Sequence, residues 1–289
     1  MVDLSEIVKF LLIPKMRVMR FDNLGFVDTL ASDCLTFVEK ESFLQSALDN
    51  PNVSGILTHR EIYEKYSRDK RLIPCESPQY SFVKLHNVNG QRKSKKSEID
   101  SSAQVSPRAQ ISSMNVEIGP GVIIEDFCVV SENSVIERDS IIRAGSIIGS
   151  TALYVGKAMD NTKLSAKHFG STKIGPRVEI GPNSVVDKGM FSYDSTTIGA
   201  DNYVGPLCNI SHAVNIGTGN ILAAGVKISG YTNIGNDNWF GPSSTISHKL
   251  NIGSNNYLAL GSTLLRSIAS ANQVVGNKIF TSGFPLRNL

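Results

Sequence analysis

The pattern Ile-Gly-x-x-Asn occurs four times in this chain of 289 residues, at Ile198–Asn202, Ile216–Asn220, Ile234–Asn238 and Ile252–Asn256. Each copy begins 18 residues after the previous one. Within this step lies a finer one, because apolar side chains recur at every sixth position from Ile174 to Leu264, with Ser192 as the exception. A step of six that fits three times into 18 predicts a coil with three sides, each side being one short strand.

The sequence therefore predicts a mainly β fold, a parallel β-helix built from hexapeptide repeats. Ile and Val suit the inward positions because their branched β-carbons favour strand backbones. Residues 18 apart should lie above one another, about 4.8 Å apart. We expect the Asn column to stack its amides along the axis, and Gly and Asn near the corners to tolerate tight bends.

The six-residue step divides the chain into regions. Residues 1–90 lack it and mix apolar runs with a helical stretch at Glu41–Leu48, which predicts a small α/β domain. Residues 91–102 are polar and predict a linker, residues 103–268 form the β-helix, and residues 269–289 form a C-terminal tail. The step fails in residues 150–172, which predicts a projecting loop, and long loops on a regular scaffold are usually functional.

Composition excludes several classes of function. The net charge of +3 favours neither nucleic acid nor membrane binding, although it suits an anionic small substrate. The four cysteines lack metal-ligand spacing, which indicates a reducing compartment and a cytoplasmic protein. No stretch approaches the roughly 20 apolar residues of a transmembrane segment, and the short apolar run from Ile7 to Pro14 is not a signal peptide.

His212 and His248 are the strongest candidates for catalysis, because they are 36 residues apart, or two coils, at the same hexad position. Gly230 lies between them, and an 18-residue step puts Asp194 on the other side of His212. A neutral imidazole can accept a proton near pH 7, so His212 is a candidate general base, with Asp194 as its orienting carboxylate. The alternative is a polar surface column on a structural coil. Two histidines about 10 Å apart cannot chelate one metal ion, so no metal site is predicted.

Several segments resemble one family, the UDP-3-O-acylglucosamine N-acyltransferases of lipid A synthesis within the hexapeptide-repeat acyltransferases. In the coil they are Cys208–Gly217, Ala224–Gly230, Arg177–Gly181, Val186–Gly189 and the ending Ser282–Leu286. In the N-terminal region they are Leu35–Val38 with Phe43, which resemble the uracil-stacking segment, and Glu76–Tyr80, which resembles the end of the uridine-binding domain. The resemblance covers nearly the whole chain in the right order.

The resemblance implies a left-handed coil and a homotrimer with active sites between subunits. It implies that His212 is the catalytic base and that His248 is the second active-site histidine. It also implies that Phe37 and Phe43 sandwich the nucleotide base, with Tyr80 in the same substrate-binding region. Ordinary core packing of the two phenylalanines remains the alternative.

The chain also departs from the family pattern. Ala213 follows the histidine where the family usually has Asn, and Lys40 lies where the family often has Asn between its two aromatic residues. Gly149–Lys157 replaces a loop rich in glycine and aromatic residues, and the sequence ends at Leu289 without the helical extension that engages acyl carrier protein. These departures leave the acceptor and the donor open.

We therefore expect an N-acyltransferase that acts on a nucleotide-linked amino sugar, with no bound cofactor and with acyl-CoA or an acyl carrier protein thioester as cosubstrate. Gly225 and Gly230 are the candidates for binding the acyl donor and for an oxyanion-binding N–H group. No residue is a persuasive nucleophile, since Cys208 should point inward. The lipid A enzyme and an acyl-CoA-dependent paralogue for surface polysaccharide are the two versions. Acyl-CoA is favoured because the residues after Leu264 predict no helical docking surface. A non-catalytic β-helix scaffold is the alternative of another class.

Overall fold

The computed structural model describes residues 2–13, 15, 19–90 and 94–281, so Ser282–Leu286 lies outside the described residues. The chain divides into two compact units. One contains Met1–Gln91 and Leu153–Lys167, and the other contains Arg92–Ala152 and His168–Leu289.

The first unit is a small α/β domain, as the sequence predicts. Its short antiparallel pair is β1 (Val2–Asp3) and β2 (Arg20–Phe21), and a 3₁₀ helix spans Ser5–Phe10. A four-stranded parallel sheet follows, with β3 (Asn23–Leu24), β4 (Cys34–Val38), β5 (Val53–Thr58) and β6 (Leu72–Pro74) in consecutive order. A 3₁₀ turn at Glu41–Phe43 leads into the helices α1 (Leu44–Asp49), α2 (Arg60–Tyr66) and α3 (Pro78–Asn89).

The second unit is a left-handed parallel β-helix with three faces. The first face holds β7 (Glu98–Ile99), β10 (Val116–Ile118), β13 (Ser134–Ile136), β18 (Ser171–Ile174), β21 (Ser195–Ile198), β24 (Asn215–Ile216), β27 (Asn233–Ile234) and β30 (Asn251–Ile252). The second holds β8 (Gln104–Val105), β11 (Ile123–Ile124), β14 (Ile141–Ile142), β19 (Glu179–Ile180), β22 (Tyr203–Val204), β25 (Ile221–Leu222), β28 (Trp239–Phe240), β31 (Tyr257–Leu258), β33 (Asn272–Val275) and β34 (Lys278–Thr281). The third holds β9 (Gln110–Ile111), β12 (Val129–Val130), β15 (Ile147–Ser150), β20 (Val185–Asp187), β23 (Asn209–Ile210), β26 (Lys227–Ile228), β29 (Thr245–Ile246) and β32 (Thr263–Leu264).

The six-residue step identifies the core of this coil correctly. From Ile174 to Leu264 every apolar member of the step is buried, and Ser192 is exposed. Each buried member is the last apolar residue of its short strand, so its neighbour on the strand faces outward. Burial of this continuous column is the main hydrophobic contribution to the unit.

The asparagines of the Ile-Gly-x-x-Asn repeat form the expected amide ladder, and they form it inside the coil. The Asn220 N–H donates to Oδ1 of Asn202 at 2.8 Å, and the Asn238 side-chain amide donates to Oδ1 of Asn220 at 2.8 Å. These asparagines do not supply the unusual backbone angles, because the residue before each of them has the positive φ, as at Asp201 and Asp237. A second ladder, which the sequence analysis missed, links the exposed Asn215, Asn233 and Asn251.

The 18-residue step holds after Ile198 and fails at two earlier places. Ile136 pairs with Ile174, so 38 residues separate these neighbours, and Val186 pairs with Ile210, so 24 residues separate those. The first interruption contains the hairpin of β16 (Val155–Lys157) and β17 (Lys163–Ser165) rather than an irregular loop. The second interruption, residues 188–194, was not recognised in the sequence, because it contributes one extra six-residue step and keeps the count of six intact.

The hairpin belongs to the first unit, where it packs on α3. A Cβ added at Gly156 would meet the Tyr80 backbone and the Val83 side chain at 3.0 Å, and Nε2 of His86 lies 2.8 Å from the Lys167 carbonyl oxygen. Residues 91–102 are not wholly a linker either, because β7 begins at Glu98. The tail likewise contains the antiparallel pair β33 and β34.

All four cysteines are buried and free. Among the described helices, none is long and apolar enough to cross a membrane.

Candidate functional site

His212, Gly230 and His248 form one column, as the spacing predicts. Ile210, Ile228 and Ile246 pair with one another on successive coils, and each of the three residues lies two positions further along the chain. The prediction for Asp194 was wrong in its geometry. Val186 pairs with Ile210, so Lys188 occupies the position one coil before His212, and Asp194 lies at the end of the 188–194 insertion.

The His212 side chain is half-buried and enclosed by polar and aromatic neighbours. Its Nδ1 lies 3.1 Å from the Ser211 hydroxyl oxygen. The Tyr231 ring meets it edge-on with centroids 5.2 Å apart, and the His168 ring lies 5.7 Å away. Burial lowers the pKa of His212, so the imidazole is neutral and able to accept a proton near pH 7.

Gly230 is required by the position of His212. A Cβ added at Gly230 would come within 2.7 Å of both Cε1 and Nε2 of the imidazole. The space that glycine leaves is therefore filled by the Nε2 edge of the ring. The Gly230 N–H donates no hydrogen bond to any described residue, whereas the Gly225 N–H donates to the Pro206 carbonyl oxygen at 2.9 Å. Of the two glycines, Gly230 is thus the one with an N–H group available to a ligand.

Asp194 is close to His212 although the spacing argument for it was wrong. Its Oδ2 accepts a hydrogen bond from the Tyr231 hydroxyl at 2.9 Å, and Tyr231 in turn contacts the imidazole. Its role as an orienting carboxylate remains a prediction, because the polar partner shown for Nδ1 of His212 is Ser211.

Two members of this cluster were missed in the sequence. His168 is 4% exposed and ends the first interruption, immediately before β18. Tyr231 has a positive φ of 60° at the coil corner after Gly230. Their signals were faint: His168 lies in the segment where the repeat fails, and Tyr231 lies 19 residues after His212, off the column.

His248 is exposed on the same column, two coils from His212. At about 4.8 Å per coil the two positions are roughly 10 Å apart, which is too far for one metal ion. In residues 2–13, 15, 19–90 and 94–281, no cluster of three or more His, Cys, Asp or Glu side chains could hold a metal.

The largest surface concavity of the coil unit lies on a different side of the coil turn. It has a volume of about 610 Å³ and is lined by three successive repeats and Ile268: Asn215–Gly217, Asn233–Gly235 and Asn251–Gly253. It contains no ionisable side chain, so it offers no group for acid–base chemistry.

The predicted substrate-binding residues lie in the first unit, in different environments. Phe37 on β4 is half-buried and packs against Phe26 and Phe82, with centroids 6.5 Å and 4.9 Å away. Phe43 ends the 3₁₀ turn and is 55% exposed. Tyr80 on α3 meets Phe10 edge-on at 5.4 Å. Their roles in binding remain predictions.

A pocket of about 300 Å³ lies in this unit, where three parallel strands end. Glu39 follows β4, His59 follows β5, and Glu76 and Ser77 follow β6. The other lining residues are Gln79 of α3 and, from the hairpin, Lys157, Ala158, Met159 and Asn161. The carboxyl ends of parallel strands are the usual ligand-binding edge of open α/β sheets.

No protein-family model and no curated protein matches this chain. Some solved structures overlap it in part. UDP-N-acetylglucosamine acyltransferase from Bacteroides fragilis is 20% identical with a TM-score of 0.48, over 65% of this chain and 74% of its own. The enzyme of the same name from Campylobacter jejuni is 22% identical with a TM-score of 0.39, over 63% and 73%. Perosamine N-acetyltransferase from Caulobacter crescentus, solved with CoA and GDP-perosamine, is 14% identical with a TM-score of 0.26, over 80% and 70%. Such similarity carries no conclusion about substrate or residue roles in this chain.

Proposed function

We propose that this protein transfers an acyl group from an acyl-pantetheine thioester to the amino group of a nucleotide-linked sugar. The observation that carries the proposal is His212, a neutral imidazole whose Nε2 edge lies over a glycine of the next coil. The family resemblance of the coil and of the N-terminal segments supplies the substrate class.

In this reaction Nε2 of His212 takes a proton from the sugar amine as the nitrogen attacks the thioester carbonyl. The carbonyl oxygen gains negative charge, and the Gly230 N–H is the available donor to stabilise it. The thiol leaves after collapse of the tetrahedral intermediate and recovers the proton. The enzyme forms no covalent intermediate, in keeping with Cys208, which is 2% exposed and whose thiol pKa burial raises.

We propose further that the first unit binds the nucleotide at the carboxyl edge of its parallel sheet, with Phe43 as the exposed aromatic contact. We also propose a homotrimer. An exposed ladder of Tyr203, Ile221, Trp239 and Tyr257 supports association, since such apolar surface favours contact with another chain.

The test is a screen of nucleotide-linked amino sugars against acyl-CoA and acyl carrier protein thioesters carrying the same acyl group. We expect amide product with one pair, and a decrease of about 10²–10⁴-fold for His212→Ala. Because burial lowers the pKa of His212, the rate should fall only when the pH drops below the ordinary histidine pKa of about 6.5. Turnover by His212→Ala at the wild-type rate would exclude the assignment, and an inert wild type across the whole screen would favour a scaffold.

A further inference from the structure

Asp187 is a buried carboxylate that the mechanism above does not use. It ends β20 and is 5% exposed. Its carboxylate lies within hydrogen-bonding range of the hydroxyls of Ser150 and Ser211. The strand register explains this contact, because Val186 pairs with Ile210, which places Asp187 beside Ser211 on the next coil. A carboxylate is costly to bury, so its retention here calls for an explanation.

Ser211 connects this carboxylate to the imidazole. Its hydroxyl oxygen lies 3.1 Å from Nδ1 of His212. An ionised carboxylate can only accept hydrogen bonds, so the single hydroxyl proton of Ser211 is donated to Asp187. The Ser211 oxygen must then accept from Nδ1, which requires the proton of the neutral imidazole to be on Nδ1 and leaves the Nε2 lone pair free.

We propose that Asp187 and Ser211 are positioning residues that fix the tautomer and orientation of His212 through the relay Asp187···Ser211···His212. The relay replaces a carboxylate in direct contact with the imidazole. It also stabilises the imidazolium that forms when Nε2 accepts a proton, because Nδ1 then donates along a path that ends in a negative charge. This role rests on the proposed function for its purpose, but the tautomer it requires does not depend on any substrate.

Other ionisable groups face the imidazole and must be separated from Asp187. They are His168, immediately before β18, Tyr231 at the corner after Gly230, and Asp194, which Tyr231 links to the site. Lys188 follows Asp187 in the chain, and its Nζ lies 3.6 Å from Oε1 of Glu132. None of these is altered by a change at Ser211.

The first measurement uses the unaltered protein with ¹⁵N-labelled histidine. NMR long-range correlations report which ring nitrogen of His212 carries the proton, and His212→Gln assigns the signal. We expect the proton on Nδ1 at pH 8. A neutral wild-type ring protonated on Nε2 would overturn the proposal without any need for a variant that folds or for an active assay.

The second measurement compares Ser211→Ala and Asp187→Asn with Ser184→Ala, a control on the preceding coil. Ser184 loses a buried hydroxyl that donates to the Gly205 carbonyl oxygen at 2.9 Å, but it does not touch His212. We expect the first two variants to shift the tautomer toward Nε2–H and to lower the pKa of His212, and the control to leave both unchanged. A wild-type tautomer and pKa in either relay variant would contradict the relay.

Once a substrate is known, kinetics test the role in catalysis. Ser211→Ala should lower kcat by about 10- to 100-fold, a part of the general-base contribution of about 10²–10⁴-fold, with KM nearly unchanged. Ser211→Thr keeps a hydroxyl and should restore most of the loss. A shifted tautomer with unchanged kcat would remove His212 as the base and so count against the proposed function instead of the relay geometry.

Discussion

The regular coils after Ile198 and the interrupted coils before it are built differently, although they share one hydrophobic column. The regular coils repeat every 18 residues and carry the two asparagine ladders. The interrupted coils supply the buried ionisable groups: among the described residues of this unit, the buried Asp, Lys and His side chains are Asp187, Lys188 and His168. Two of these contact Ser211 or His212 on the first regular coil. Periodicity thus builds register and stability, and its interruptions bring charge beside the candidate base.

The largest effect should come from breaking the buried ladder of the regular coils. Oδ1 of Asn238 accepts from the backbone N–H of Asn256 at 2.8 Å and from its side-chain amide at 2.9 Å. Asn238→Ala leaves both buried donors without an acceptor and should lower the free energy of unfolding by about 3 kcal/mol. Urea denaturation measures the loss.

Asn233→Ala is the matched control for this prediction. It lies in the exposed ladder, where water can replace the bond to Oδ1 of Asn251, so it should cost no more than about 0.5 kcal/mol. Equal losses for the two variants would show that burial does not distinguish the ladders.

The second prediction concerns the stability cost of the interrupted coils. Burial raises the pKa of Asp187 from 3.8 to about 6. The folded state therefore binds a proton more tightly than the unfolded state, and stability falls as the pH rises from about 4 to about 6. Asp187→Asn removes this dependence, so the variant should be more stable than the wild type at pH 8 by up to about 3 kcal/mol and nearly equal to it at pH 3.5.

Asp201→Asn provides the control with the opposite sign. Hydrogen bonds from Arg177 lower the pKa of Asp201, so its contribution is present above the ordinary pKa of aspartate and is lost on acidification. Its replacement should slightly lower stability at pH 8. Stability curves of wild type and Asp187→Asn that run parallel from pH 3.5 to 8 would show that Asp187 does not ionise at a buried site.

These residues also show how far the sequence could predict the structure. The column from Ile198 to Leu264 was predictable because each residue obeys the same steric rule, inward at every sixth position. Asp194 was misplaced because the insertion of 188–194 is as long as a coil side with one additional residue, and the count of six continues across the full 24-residue coil. The relay of Asp187 and Ser211 depends on a cross-coil register that only the position of this insertion determines.

The N-terminal unit extends the comparison, because there no repeat links sequence to position. Phe37 packs against Phe26 and Phe82, so Phe37→Ala should destabilise this unit by about 2 kcal/mol, less than the cost of a fully buried phenylalanine. Phe43 is 55% exposed, and Phe43→Ala should change stability by less than about 0.5 kcal/mol.

If Phe43 stacks on the nucleotide base, Phe43→Ala should raise KM for the acceptor by a factor equivalent to about 1–3 kcal/mol while leaving donor KM unchanged. Thermal denaturation and the two KM values separate the effects. An acceptor KM that changes for Phe37→Ala alone would reverse the assignment of the two phenylalanines.

The smallest effect should come from a corner of the coil beside the site. Ala213 follows His212 with a φ of 55°, a left-handed conformation that costs a residue with a Cβ about 1–2 kcal/mol, whereas glycine adopts it freely. Its N–H donates to the Thr196 hydroxyl oxygen at 2.8 Å, a bond that glycine would retain. Ala213→Gly should therefore raise the free energy of unfolding by about 0.5–1 kcal/mol after the greater chain entropy of glycine is counted. Gly225→Ala is the reverse experiment, since Gly225 has a φ of 72° and its added Cβ would meet nothing closer than 3.4 Å. It should cost about 1 kcal/mol through backbone conformation alone, and a stabilised Gly225→Ala would show that the corners of the regular coils store no such strain.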